Sequence, residues 1–157
     1  MTDERKRHDS TSPAASRADV SSRLQQHLHQ LHHAFLHKPL LIGGMAMEYY
    51  GLRCAGADID LVVHPDDHAA LVRKYPDHIK DICGDIGVCE SGFEIWNQIC
   101  TFDYAYLSEH AIEEPGFLAV SLEKLLFLKA LGMEIPKYHR DMELVVKKIL
   151  DTAYKTE

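Results

Sequence analysis

The sequence predicts an α+β domain, and two patterns predict it. The middle of the chain is built from short β-branched and aromatic runs punctuated by glycine, while helical apolar spacing dominates towards both ends. At 157 residues the chain is sized for one hydrophobic core. The expected organisation is a disordered tail over residues 1–19, followed by a single domain over residues 20–157.

The first residues are rich in Ser, Arg and Asp, with almost nothing apolar to bury, which is the composition of a disordered segment. From Val20 to His37 the pattern turns helical, with Leu24, Leu28, Leu31 and Phe35 along one face. His29, His33 and His37 fall on roughly the opposite face. Histidines so spaced could ligate zinc or copper, but without an obvious carboxylate partner a solvated polar face is the usual outcome. Pro39 ends this helix.

Residues Leu40 to His64 carry the chemistry. They read as a short buried strand, the pair Gly43-Gly44, a short helix, a loop, and a strand Asp58-Ile59-Asp60-Leu61-Val62-Val63. Alternation puts Asp58 and Asp60 on one face of that strand and the apolar residues on the other. Paired carboxylates repel, and a divalent cation such as Mg²⁺ relieves that repulsion with oxygen ligands. Glycines between strand and helix allow close backbone approach to a phosphate.

Further on, His64-Pro65-Asp66-Asp67 opens a helix ended by Pro76, with Asp66 and Asp67 as capping residues in its first turn. Ser91-Gly92 marks a hairpin feeding a strand through Phe93, Ile95 and Trp96. Ile99 to Leu107 reads as a further strand with Asp103 at its middle, a position where an unpartnered carboxylate is costly. A neighbouring place beside the Asp58/Asp60 strand would make Asp103 a third acidic ligand. Glu113-Glu114-Pro115-Gly116 reads as a loop. Ser121 caps a Leu-rich helix containing Lys129, which either snorkels its charge outwards or serves a site. A last helix runs from about Lys137 to Thr152, with Lys137, Arg140 and Asp141 at its start.

Apolar-Gly43-Gly44, a short helix ending in Tyr50-Gly51, Arg53, and Asp58-Ile59-Asp60-Leu61-Val62-Val63 together resemble the signature of the polymerase β-type nucleotidyltransferase superfamily. The likeness is to its small stand-alone members, the toxin-type and antibiotic-modifying enzymes, and extends over about residues 38–150. It implies a mixed β-sheet flanked by α-helices and an Mg²⁺ (or Mn²⁺) dependent, carboxylate-held two-metal transfer of a nucleoside monophosphate from an NTP to a hydroxyl. The acceptor would be a protein, an RNA end or a small molecule. Under this resemblance Asp58, Asp60 and Asp103 are the metal-holding catalytic residues. Gly43, Gly44, Arg53 and Lys129 are the nucleotide-binding ones, and Arg140 and Asp141 brace the site. Many relatives have Gly-Ser where this chain has Gly43-Gly44. The alternative reading is a nucleotide-binding or interaction module of the same fold with weakened turnover, and a third is a metal-binding protein centred on His29, His33 and His37.

Composition narrows these classes. The net charge of −7 argues against broad electrostatic attachment to nucleic acid or to an anionic membrane. No apolar run is long enough for a membrane span. The charged N-terminus lacks a secretory pattern, and Cys54, Cys83, Cys89 and Cys100 have no close pairing, so the expectation is an intracellular, cytoplasmic protein with reduced thiols.

Overall fold

The computed structural model describes residues 15–155. The first helix, α1 (Arg17–His29), opens on a capping box in which Ser16 Oγ accepts from the Asp19 amide at 3.2 Å and Asp19 Oδ2 accepts from the Ser16 amide at 3.3 Å. Order therefore begins inside the stretch read as tail; residues 1–14 of that stretch lie outside the described residues. The helix also stops eight residues short of His37. Lys74 Nζ and Tyr75 Oη donate to the Leu31 carbonyl, and Asp67 takes the amides of Leu36 and His37. These long-range partners hold residues 30–38 in a non-helical path while Leu31 still reaches the core. His29, His33 and His37 consequently do not share a helix face.

The chain then forms β1 (Leu40–Ile42), α2 (Gly43–Tyr49) and β2 (Ile59–Val62), the strand-helix-strand unit expected from the sequence. β1 and β2 pair antiparallel, setting Ile42 opposite Asp60. α3 (Pro65–Lys74) is capped by His64, whose Nδ1 accepts from the Asp66 amide at 3.1 Å. The cap is thus His64 and not the two aspartates, and Asp67 is fully buried against residues 33–37. β3 (Ile79–Ile82), β4 (Asp85–Glu90) and β5 (Phe93–Trp96) follow as two hairpins, the second turning at Ser91-Gly92 as expected.

The predicted strand over residues 99–107 is not formed. Its place is taken by β6 (Gln98–Ile99), β7 (Phe102–Asp103) and the single helical turn α4 (Tyr104–Leu107). Cys100 and Thr101 adopt φ of 47° and 71°, reversing the chain into a two-stranded ribbon separate from the main sheet. Of the Glu113–Gly116 loop, Glu113 and Glu114 instead pair within β8 (Ile112–Glu114), and Pro115-Gly116 alone makes the hairpin turn to β9 (Phe117–Ala119). Ser121 Oγ caps α5 (Leu122–Leu131) by accepting from the Lys124 amide, and α6 (Lys137–Ala153) ends the domain.

The main sheet has the order β3-β4-β5-β2-β1-β9-β8 and is mixed: β2 is parallel to β5 and antiparallel to β1, which is parallel to β9. This is the α+β architecture expected, a mixed sheet with helices packed on it. β2 sits at its centre between β5 and β1, so its flanks are paired and its apolar residues Ile59, Leu61 and Val62 lie in the core. α1 is anchored to α2 by Arg23, which donates to both oxygens of the buried Glu48 (3.1 and 2.5 Å). Tyr49 and Tyr50 of α2 donate to the Glu114 carboxylate and the Val120 carbonyl, both at 2.6 Å. Burial pushes the Tyr50 hydroxyl up to about 12.

Candidate active site

Asp58 is exposed at the entry to β2, and Asp60, two residues on, lies half-buried within it. The parallel pairing of β2 with β5 brings Asp60 directly opposite Glu94. In-register residues on neighbouring strands share a face, so Asp58, Asp60 and Glu94 form one acidic group. Burial first, then the charges of Glu94 and Asp58, push the Asp60 carboxyl from 3.8 up to about 6, against the opposing pull of Lys129. Ionising Asp60 is therefore costly where it stands, although the ligand atoms of Asp58, Asp60 and Glu94 do not all lie within 4.8 Å of one another.

Asp103 does not join this group. It stands exposed on the separate ribbon, where its Oδ1 accepts from the Tyr106 amide at 2.9 Å and caps α4. The third carboxylate beside Asp60 is Glu94, which the sequence reading passed over. The signal was present: Phe93-Glu94-Ile95-Trp96 is a carboxylate among β-formers, the same pattern that drew attention to Asp103.

Gly43 touches the acidic group from the β1 side. Its φ of 68° is left-handed, and a Cβ built on it would overlap Asp60 Oδ2. Gly44 is less confined, since a Cβ there would come 3.4 Å from Arg53 Nη1. Gly43→Ala is therefore expected to cost about 1–2 kcal/mol in backbone strain alone and to displace the Asp60 carboxylate. Gly44→Ala should be far milder. Thermal melts, with the Asp60 titration followed by NMR in each variant, compare the two.

Opposite the carboxylates, α5 and α6 supply a buried ion-pair network. Asp141 Oδ1 accepts from Arg53 Nε at 2.6 Å, and Oδ2 accepts from Arg53 Nη2 at 2.8 Å and from Lys129 Nζ at 2.9 Å. Burial opposes the Asp141 charge, but the two cations outweigh it and hold the carboxyl below its usual range. Lys129 does not snorkel; it is buried, its Nζ lies 4.6 Å from the Tyr138 ring centre, and burial lowers its pKa. Arg140 pairs with Glu143 on the surface of α6 at 3.2 Å.

These parts enclose two adjoining clefts. One of about 540 Å³ is lined by Gly43, Gly44, Asp58 and Asp60 together with Arg53, Lys129, Lys137, Arg140 and Asp141. The second, of about 400 Å³, is lined by Trp96, Leu125, Leu128 and Tyr138, with Asp60 and Glu94 in its wall. Gly43, Asp60, Lys129 and Tyr138 border both. Of the residues singled out from the sequence, Gly43, Gly44, Arg53, Asp58, Asp60 and Lys129 thus meet around one cleft, and Asp103 does not.

Comparison of the chain with protein-family models, with curated proteins and with solved structures gives no match. No helix among the described residues is long and apolar enough to cross a membrane.

Proposed function

We propose that the protein is a nucleotidyltransferase that moves a nucleoside monophosphate from an NTP to a hydroxyl acceptor, a protein, an RNA end or a small molecule. The observation that carries this reading is that Asp58 and Asp60 line the same cleft as Arg53, Lys129, Lys137 and Arg140, while Glu94, in register with Asp60, lines the cleft adjoining it. The donor set is all carboxylate oxygen, which fits Mg²⁺ or Mn²⁺ and not a thiol- or imidazole-seeking metal. Bound there, the cation would supply charge neutralisation at the phosphates and lower the pKa of the attacking hydroxyl. Asp58, Asp60 and Glu94 would hold it after drawing closer together than they stand. Lys129, Lys137, Arg53 and Arg140 would attract and orient the triphosphate, and Gly43 keeps the backbone out of the carboxylates' space. The apolar cleft next to Glu94 would exclude water and seat a flat or apolar group of the nucleotide or acceptor.

One observation favours a second reading, a nucleotide-binding module with little turnover. Arg53 and Lys129 are both engaged by Asp141, and Gly43-Gly44 offers no side-chain hydroxyl to a phosphate. Incubation with each labelled NTP and Mg²⁺ separates the readings. Pyrophosphate release or self-labelling that disappears in Asp58→Asn/Asp60→Asn supports transfer. A thermal shift with NTP and Mg²⁺ without pyrophosphate supports the module. Neither response, or turnover untouched by the double variant, removes both.

The Asp60 titration adds a pH test. The folded protein binds the Asp60 proton more tightly than the unfolded chain does. Without metal, the stability gained from its neutral form is therefore present below about pH 4 and lost as pH rises to about 6. Each tenfold change in proton affinity is worth roughly 1.4 kcal/mol, so ionising Asp60 costs up to about 3 kcal/mol. Cation binding removes this cost, so Mg²⁺ should raise the melting temperature more at pH 8 than at pH 5, and the difference should vanish in Asp60→Asn.

A further inference from the structure

At the other end of β2, roughly 13 Å from Asp60 by the ~3.3 Å rise of a strand, two chain segments bring His37, His64 and Asp66 together. One ligand atom from each lies within 4.8 Å of the others. The His37 and His64 rings stack with centroids 3.7 Å apart and planes 13° from parallel. Two imidazoles and a carboxylate are a donor set for zinc, with a remaining position for water.

The three side chains lie at the surface, and a buried contact holds the segments that bear them. Asp67, fully buried at the start of α3, accepts from His33 Nε2 (2.8 Å) and from the amides of Leu36 (2.9 Å) and His37 (3.0 Å). That one carboxylate clamps the segment bearing His37 onto the helix bearing His64 and Asp66. Its Oδ2 also lies 3.7 Å from His37 Nδ1, within reach of that ring once it turns. A carboxylate behind a ligating histidine is the usual support of such sites. His64 Nδ1 accepts from the Asp66 amide as the cap of α3, so metal binding at that nitrogen would replace this hydrogen bond, and Asp66 Oδ2 lies 3.7 Å from it. The edge of Tyr104 rests against His64, and Tyr104 Oη donates to the Lys38 carbonyl at 2.7 Å, bracing the same segment from a third element. Lys38 itself is turned away to Glu113 at 2.9 Å.

We infer that His37, His64 and Asp66 form a zinc site that ties residues 30–38 to the start of α3. It is separate from the all-oxygen group at Asp58, Asp60 and Glu94, and stands whether or not that group supports nucleotidyl transfer. The His37 side chain is 44% exposed, so it can turn its ring the short way needed for both imidazoles to converge on one ion.

The test uses the full untagged chain and Co²⁺ as a visible probe, followed by displacement with Zn²⁺. The expected result is one tetrahedral Co²⁺ absorption band, displaced by one equivalent of Zn²⁺, and weakened at least ~10-fold in His37→Ala and in Asp66→Asn. The band should persist in His29→Ala/His32→Ala and in Asp58→Asn/Glu94→Gln. Circular dichroism confirms folding; His37 is exposed and outside any helix or strand, so His37→Ala decides the matter if Asp66→Asn unfolds. Absence of saturable Co²⁺ binding, unchanged affinity in His37→Ala, or loss confined to the His29/His32 or the Asp58/Glu94 variant would overturn the assignment.

Discussion

Glu94→Gln is expected to reduce the proposed nucleotidyl transfer by about 10²–10³-fold, the usual scale for removing one electrostatic partner from a reacting centre. The substitution keeps the size and strand-forming shape of the side chain, so the β2–β5 pairing should survive. It also relieves Asp60, whose carboxyl is pushed up to about 6 in part by the Glu94 charge, so its pKa should fall in the variant. That fall is readable by NMR without any substrate and would not follow from a general loosening of the fold. Asp103→Asn should leave transfer unchanged, since asparagine still caps α4 and the residue faces neither cleft. Activity lost in Asp103→Asn and kept in Glu94→Gln would invert the assignment of the third carboxylate.

The contrast between Glu94 and Asp103 shows where sequence reasoning succeeds. The rule that a carboxylate among β-formers needs a partner applied to both residues. Choosing between them required knowing which strand lies beside β2, and pairing order is not a local property. The choice went to Asp103 because Ile99 to Leu107 reads as one strand. The turn that breaks it uses Cys100 and Thr101 in left-handed conformations without the glycine or asparagine that normally announces one. By contrast, β1, α2 and β2 were legible because burial, glycine placement and alternation all point the same way.

The first helix teaches the reverse lesson. Its start was written locally, in the Ser16 to Asp19 capping box, and only the polar composition around it disguised the signal. Its end was not written locally. The apolar spacing continues through Leu31 to Phe35, and both residues pack on the core, yet the backbone leaves the helix at His29. Lys74, Tyr75 and Asp67 hold that exit from α3, so the boundary belongs to tertiary structure. Asp67, which reads as a capping residue from its place in the first turn, owes its burial to this contact. The histidines of the segment, which share a face only on a continuous helix, are redistributed, and His37 meets His64 and Asp66 in consequence.

Asp141→Ala is expected to produce the largest loss of stability, about 3–5 kcal/mol, the range for removing one partner of a buried ion pair. In a chain of this length that corresponds to a melting temperature lower by ~10 °C or more. The cause is less the lost attraction than what is left behind. Lys129 is only 6% exposed, and without Asp141 its ammonium has no carboxylate in hydrogen-bond reach except by moving towards Asp60. Two further measurements separate this cause from simple cavity formation. Lys129 already has a lowered pKa, and losing Asp141 should lower it further, so the variant binds fewer protons folded than unfolded over a wider range below 10.5. Its stability should therefore climb as pH rises through that range, more steeply than in the wild type. Replacing both partners, in Lys129→Met/Asp141→Leu, removes the orphaned charge and should recover most of the loss. Arg53 would still be left without its partner, so recovery stays incomplete, and transfer should remain impaired because two of the charged residues lining the cleft beside Asp58 and Asp60 have been removed. A double variant no more stable than Asp141→Ala would place the energy in packing around Asp141 and not in the charge it neutralises.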